Sequence, residues 1–321
     1  MTNPTVASAR LCVLASALLW SLSGLVLKAP IFDSLPAESR GPTIAALRAL
    51  VAALVLVPFV WSRPKRLRWA LVPMSLNFAA LSVLFVSAMM ATTSAAAIFL
   101  QYTSVLWSCL LGWLILRERP GRPDVVALLF VAVGFWVILA PGGGSTVGNL
   151  LAVGSGVAYA GVIVSLRALR DEDPIWLSFV NQAVSALVLL PWLYMNPVSV
   201  TATQFTWIAF LGGIQLALPY VLFSIGVKHV SAREASLLTL IEPVVNPLWV
   251  LLAWGENVPG TTWAGGALIL TGLFARFALV GRASPLPKAV PTAAVEPTAA
   301  SFLAPPPPPE DPSHSYSSGQ S

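Results

Sequence analysis

The chain has 321 residues, of which 57% are hydrophobic and only 10% charged, and its mean hydropathy is +0.80. A soluble domain carries about 25% charged residues, so the composition excludes an ordinary soluble enzyme and points to a polytopic membrane protein. The net charge of +5 therefore does not imply a nucleic-acid partner; what matters is where the positive residues sit along the chain.

Ten apolar segments follow one another, at roughly 10–28, 42–61, 69–90, 93–115, 123–140, 148–168, 175–195, 205–227, 232–254 and 260–280. Each is near the roughly 20 helical residues that cross a bilayer. The expected fold class is all-α, with ten transmembrane helices. The first run follows Arg10 as a signal peptide would, but it reaches Leu27 and carries Trp20 and Ser21. It reads as an uncleaved helix after a short N-terminus, 1–9. The two cysteines, Cys12 and Cys109, fall inside apolar segments and suggest neither a disulfide nor a metal site.

Fifteen of the eighteen Lys and Arg residues fall on one side if both ends are cytoplasmic: Arg10, the 63–68 and 117–122 loops, Arg167, Arg170, Lys228, Arg233, Arg276, Arg282 and Lys288. The opposite loops hold only Lys28 and Arg40, and Arg48 lies within the second segment. This bias orients the chain in the cell membrane with N- and C-termini inside. Residues 281–321 are Pro-, Ala- and Ser-rich, with five consecutive prolines at 305–309, and are expected to form a disordered cytoplasmic tail.

Polar residues inside the spans are the functional candidates. Trp20 lies in the first segment, Arg48 in the second and Asn77 in the third. Gln101 and Ser104 share a face of the fourth, with Tyr159 in the sixth, Asn181 in the seventh, and Gln215 and Tyr220 in the eighth. Uncharged groups of this kind contribute about 0.6 kcal/mol each as interhelical contacts, so each alone reads as packing, whereas together they suggest a polar cavity. Arg48 has two readings: it snorkels outward along its stem, or it turns inward to Glu242 or a substrate carboxylate.

The ninth segment is the most informative. Glu242 lies near its middle, where a carboxylate costs on the order of 2.5 kcal/mol or more. Pro243 and Pro247 each lack an N–H, so the helix is expected to break and free the carbonyls of Thr239 and Pro243. Thr239, Glu242, Asn246 and Trp249 fall on one helical face, as expected of a helix that lines a cavity. Protonation of Glu242 would then couple protons to substrate movement.

The two halves repeat. Phe99–Glu118 aligns without gaps to Leu237–Glu256, matching Leu100, Leu110, Leu114 and Glu118 to Leu238, Leu248, Leu252 and Glu256. Five spans are an odd number, so residues 10–140 and 148–280 would be two inverted repeats, an arrangement that places substrate at the midplane between the repeats. With ALLWSLSGLVLK (17–28), ALRALVAALVL (46–56), the helix 94–118 and the EP pair of LLTLIEPVVNPLWVLLAWGE (237–256), the chain resembles the EamA-type ten-span transporters of the drug/metabolite transporter superfamily. The resemblance implies export of amino acids, other metabolites or drugs through a cavity lined by spans 1–4 and 6–9. In that pattern a proline is common where this chain has Val105, so the first-half helix is expected to be less broken than its counterpart.

The expected function is therefore secondary export of a small molecule by alternating access, with proton coupling. An uncoupled facilitator and a non-transporting receptor or scaffold are the alternatives. An enzyme is disfavoured: the only histidines, His229 and His314, lie in a loop and the tail, and no GxSxG, HExxH or Walker motif occurs. No cofactor is implied.

Overall fold

The computed structural model describes residues 6–117, 120–140 and 144–280. The tail 281–321, Glu118 of the repeat match, and Arg119, Arg282 and Lys288 of the charge pattern lie outside the described residues. Those that are described form helices and connecting turns without strands. Among the described residues nine helical stretches are long and apolar enough to cross a membrane, and Gly260–Val280 forms a further helix of 21 residues.

In chain order the helices are α1 (Val6–Leu27), α2 (Ala37–Val60), α3 (Leu71–Ala91), α4 (Ser94–Gln101), α5 (Ser104–Leu116), α6 (Arg122–Leu139), α7 (Thr146–Arg167) and α8 (Pro174–Met195). Then come α9 (Ala202–Phe210), a π-helical stretch Leu211–Ala217, α10 (Leu218–Gly226), α11 (Ala232–Thr239), α12 (Ile241–Trp254) and α13 (Gly260–Val280). The fourth span is thus α4 with α5, the eighth α9 through α10, and the ninth α11 with α12. Arg10, Arg63, Arg68 and Arg276 lie toward one end of the bundle, called the basic end below; Lys28, Arg40 and Glu256 lie toward the other.

Caps fix where many helices start. Thr93, Ser145 and Ser231 accept bonds from the N–H groups of Ala96, Gly148 and Glu234, and Thr201 forms a reciprocal capping box with Gln204. Asp173 accepts from the N–H groups of Ile175 and Trp176, with Pro174 at the first helical position. Outward faces are largely apolar: Leu54, Trp136, Leu187 and Leu252 are exposed on them. That pattern suits lipid rather than water.

The fourth span departs from expectation. It was expected to run with less of a break than the ninth, but it is interrupted at Tyr102–Thr103, the position that aligns with the interruption at Leu240. No proline is needed. The Thr103 hydroxyl and N–H both donate to the carbonyl of Leu100, at 2.6 and 3.1 Å, and tighten the chain into a three-residue turn. Trp107 Nε1 donates to the same hydroxyl at 3.3 Å. Gly156 of α7 closes the arrangement, because a Cβ there would lie 3.1–3.2 Å from the carbonyl oxygens of Leu100 and Gln101. In the ninth span Pro243 falls in the first turn of α12, where its missing N–H has no helical partner to lose.

The eighth span also differs from a plain helix. Seven residues, Leu211–Ala217, are π-helical. Such wide turns are rare and recur at functional positions. This one presents Gln215 inward.

Candidate functional site

Where the broken helices meet α1, α2, α3 and the π-helical stretch, a cavity of about 20 Å³ remains, lined by Ser23, Arg48, Ser82, Gln101, Gln215 and Glu242 among polar groups. Phe78, Leu81, Phe85, Leu216 and Tyr220 complete the wall. That is room for about one water-sized sphere, so the site is closed in this conformation. Glu242 lies ten residues into the ninth span and Arg48 eleven into α2, each about 15–17 Å from its helix start at about 1.5 Å per residue. Both therefore sit near the midplane of a hydrocarbon core about 30 Å thick.

Arg48 does not snorkel. It is 5% exposed, and its guanidinium donates to Ser82 Oγ at 3.1 Å. Glu242 is 4% exposed on the cavity wall. Two opposite charges therefore share one enclosed space between different spans. Gln101 Nε2 and Gln215 Oε1 have no bonding partner, while Gln215 Nε2 donates to the carbonyl of Trp20 at 3.1 Å. A donor and an acceptor thus remain unused beside the charges.

Five of the sequence candidates line the cavity: Arg48, Gln101, Gln215, Tyr220 and Glu242. Trp20 stands one layer behind, with its ring edge-on to Tyr220 at 5.4 Å between centroids. Asn246 reaches the wall through Ser23, whose hydroxyl accepts from Asn246 Nδ2 at 2.8 Å; Trp249 Nε1 likewise donates to Ser21 at 3.1 Å. The polar stripe of the ninth span thus largely faces α1. Pro243 and Pro247 are buried in α12 and shape the helix without lining the cavity.

The remaining candidates lie elsewhere. Thr239 spends its hydroxyl on the carbonyls of Ala235 and Ser236. Asn77 donates to the carbonyl of Pro73 at 2.8 Å and packs against Gly161 of α7. Ser104 and Tyr159 are buried off the cavity, and Asn181 bonds Ser75 instead. Spans 6 and 7 therefore contribute nothing to the wall, contrary to expectation: α7 packs along α3, and α8 lies against α2 and α3, its polar side meeting α3 at Ser75. Ser23 and Ser82 were missed by the sequence reading; serine is too frequent in spans to stand out.

Ion pairs clamp both ends. Away from the basic end, Lys28 Nζ lies 2.9 Å from Glu256 Oε1 and also donates to the carbonyl of Thr92. Glu256 Oε2 accepts from the Ser94 N–H at 2.8 Å and from the Ser94 hydroxyl. This carboxylate ties spans 1 and 9 to the positive N-terminus of α4. At the basic end Arg10 pairs with Glu234, Arg63 with Asp173 at 3.1 Å, and Arg68 with Glu172 at 3.8 Å.

Bonds to a charged group contribute about 1.5–3 kcal/mol, and each ~1.4 kcal/mol is tenfold in an equilibrium. Glu256→Gln is accordingly expected to raise labelling of a Ser23→Cys reporter about tenfold from that end, read with an impermeant thiol reagent and Cys12 and Cys109 replaced. Unchanged labelling would show that the clamp does not hold the cavity shut.

Comparison with known proteins adds the family. The model of the EamA-like transporter family matches residues 7–140 and 146–277. The uncharacterized transporter YwfM of Bacillus subtilis (strain 168) is 28% identical over 276 residues, covering 82% of this chain and 91% of that protein. The threonine/homoserine exporter RhtA of Escherichia coli (strain K12) is 25% identical, covering 71% and 79%. A riboflavin transporter of Vibrio cholerae serotype O1 is 24% identical, covering 71% and 80%.

Proposed function

The chain belongs to the EamA-like transporter family, and from that premise we propose that it exports small zwitterionic metabolites, amino acids foremost, by alternating access coupled to protons. The observation that carries this reading is the enclosure of Arg48 and Glu242 in one midplane cavity. A guanidinium binds a carboxylate in a bidentate fashion, and a carboxylate receives an ammonium group. A substrate bearing both ends satisfies both charges as it enters, whereas a purely cationic or anionic one would leave one of them unmatched. The unused donor on Gln101 and acceptor on Gln215 suit a polar side chain. The similarity to a threonine/homoserine exporter agrees with this choice.

In this mechanism, the closed cavity is the occluded intermediate. Glu242 exchanges a proton for the substrate ammonium, so the empty and loaded forms differ in charge, and moving one charge through 100 mV is worth about 2.3 kcal/mol. The basic end faces the cytoplasm of the cell membrane, following the distribution of Lys and Arg.

The test is reconstitution into liposomes with an internal pH dye, against a panel of amino acids, riboflavin and cationic drugs. Substrate-driven proton movement is expected for neutral polar amino acids, and its loss is expected in Arg48→Ala. Flux of labelled amino acid without proton movement would reduce the protein to a facilitator. Transport of riboflavin or drugs alone would overturn the zwitterion assignment.

A further inference from the structure

A second polar group lies between the cavity and the basic end. On α8, Ser178, Asn181, Gln182 and Ser185 are all buried on one side of the helix within two turns. Ser178 and Ser185 return their hydroxyls to the carbonyls of Pro174 and Asn181. The two amides are not so settled. Asn181 Oδ1 accepts from Ser75 Oγ at 3.1 Å, but Asn181 Nδ2 has no partner, and neither do the Oε1 and Nε2 atoms of Gln182. Both residues are at most 1% exposed.

A buried polar group without a bond is destabilising, and in a membrane interior no water is present to relieve it. Amides that merely joined helices would have found partners. Three unmet atoms on adjacent residues are the expected signature of groups that are hydrated in a different conformation.

Their place in the bundle says which conformation. Ser75, Phe78, Ser82 and Phe85 follow one buried face of α3, and the last three line the cavity. Ser75 is seven residues from Ser82, about 10 Å nearer the basic end, and four from the helix start, about 6 Å. The mouth beyond it is where the α2–α3 connection meets the start of α8. Arg63 and Arg68 pair there with Asp173 and Glu172, and Trp176 Nε1 donates to the carbonyl of Arg66 at 3.4 Å.

We propose that Ser75, Asn181 and Gln182 form a second polar station on the permeation path, taking up water and the polar ends of a passing substrate when the Arg63–Asp173 and Arg68–Glu172 clamps part. The station extends the transport reading above and rests on it, but its test requires no transported substrate.

Gln182→Cys, in a chain lacking Cys12 and Cys109, is reacted with a positively charged, membrane-impermeant methanethiosulfonate in membrane vesicles of both orientations. Leu187→Cys, which faces lipid, sets the background. With the clamps intact, labelling is expected at background. With Arg63→Glu and Arg68→Glu added, it is expected to rise at least tenfold, and only from the basic side. Asp173 is left in place because it caps α8.

Ser75→Cys provides a second reporter should Gln182→Cys fold poorly. Gln182→Leu, of similar volume, is expected to keep or raise the thermal stability, since it removes two unmet polar atoms. Background labelling at both reporters in clamp-broken protein, while Ser23→Cys in the cavity is labelled, would overturn the station and leave the transport assignment standing. So would labelling from the opposite end, or labelling independent of the clamps.

Discussion

Glu242→Gln is expected to abolish substrate-driven proton movement in proteoliposomes while leaving the helices in place. Glutamine keeps the shape and hydrogen-bonding reach of the side chain but can neither carry a proton nor balance a cation. Exchange of labelled substrate across the membrane, which needs no net proton transfer, is expected to survive in part.

The same substitution leaves Arg48 buried beside a cavity that has lost its negative charge. A buried cation is destabilised when the carboxylate facing the same cavity is lost, so the melting temperature in detergent should fall by several degrees. Adding Arg48→Gln should restore most of that stability without restoring transport. Wild-type proton flux in Glu242→Gln would remove this residue from the coupling mechanism, and an unchanged melting temperature would show that the two charges are not interdependent.

Gly134→Leu is expected to be the most damaging substitution outside the cavity. α6 and α13 pack along much of their length, and they touch backbone to backbone. A Cβ at Gly134 would lie 2.5 Å from the carbonyl oxygen of Gly265, and a Cβ at Gly265 would lie 2.5 Å from that of Gly134. The contact is reciprocal, so neither helix can yield without moving the other. Small residues at such crossings permit the close approach on which packing in lipid depends.

Overpacking of this kind costs about 1–3 kcal/mol or more, and a leucine adds three carbons beyond the Cβ that already clashes. Thermal unfolding of the solubilised protein should shift downward by a few degrees. Gly265→Leu should behave alike, and the double variant should cost less than the sum because the two clashes are one contact. Neither residue lines the cavity, so transport per folded molecule is expected to persist. A melting temperature indistinguishable from wild type in both single variants would mean that the crossing is looser than the structure places it.

Several features were legible in the residues alone, and each had the same basis. The membrane class, the helical segments and the two mid-span charges follow from the free energy of placing a side chain in hydrocarbon. That energy is local and large, on the order of 2.5–3.5 kcal/mol for a charge at the helix centre. Arg48 and Glu242 therefore stand out without knowledge of any neighbour. The break near Leu240 was equally visible, since Pro243 has no N–H with which to carry a helix on from Thr239.

Other features depended on neighbours. Thr103 breaks the fourth span because its hydroxyl finds Leu100 and Gly156 makes room; Thr206 and Thr271 bond back to the carbonyls of Ala202 and Ala267 without interrupting their helices. Asn77 and Asn181 are the same residue type in comparable segments, yet one packs against α7 and the other joins Ser75. Ser82 became a ligand of Arg48 only because α2 and α3 present those faces to each other.

The sequence by itself determined that this chain is a bundle of membrane helices carrying an acid near mid-span and an arginine within another span, since burial in lipid is priced residue by residue. Which polar groups share the cavity, where the ends are clamped and which amides are left unmet were decided by the tertiary structure. Contacts between spans are worth only about 0.6 kcal/mol each, and energies that small single out no partner until packing has brought the helices together.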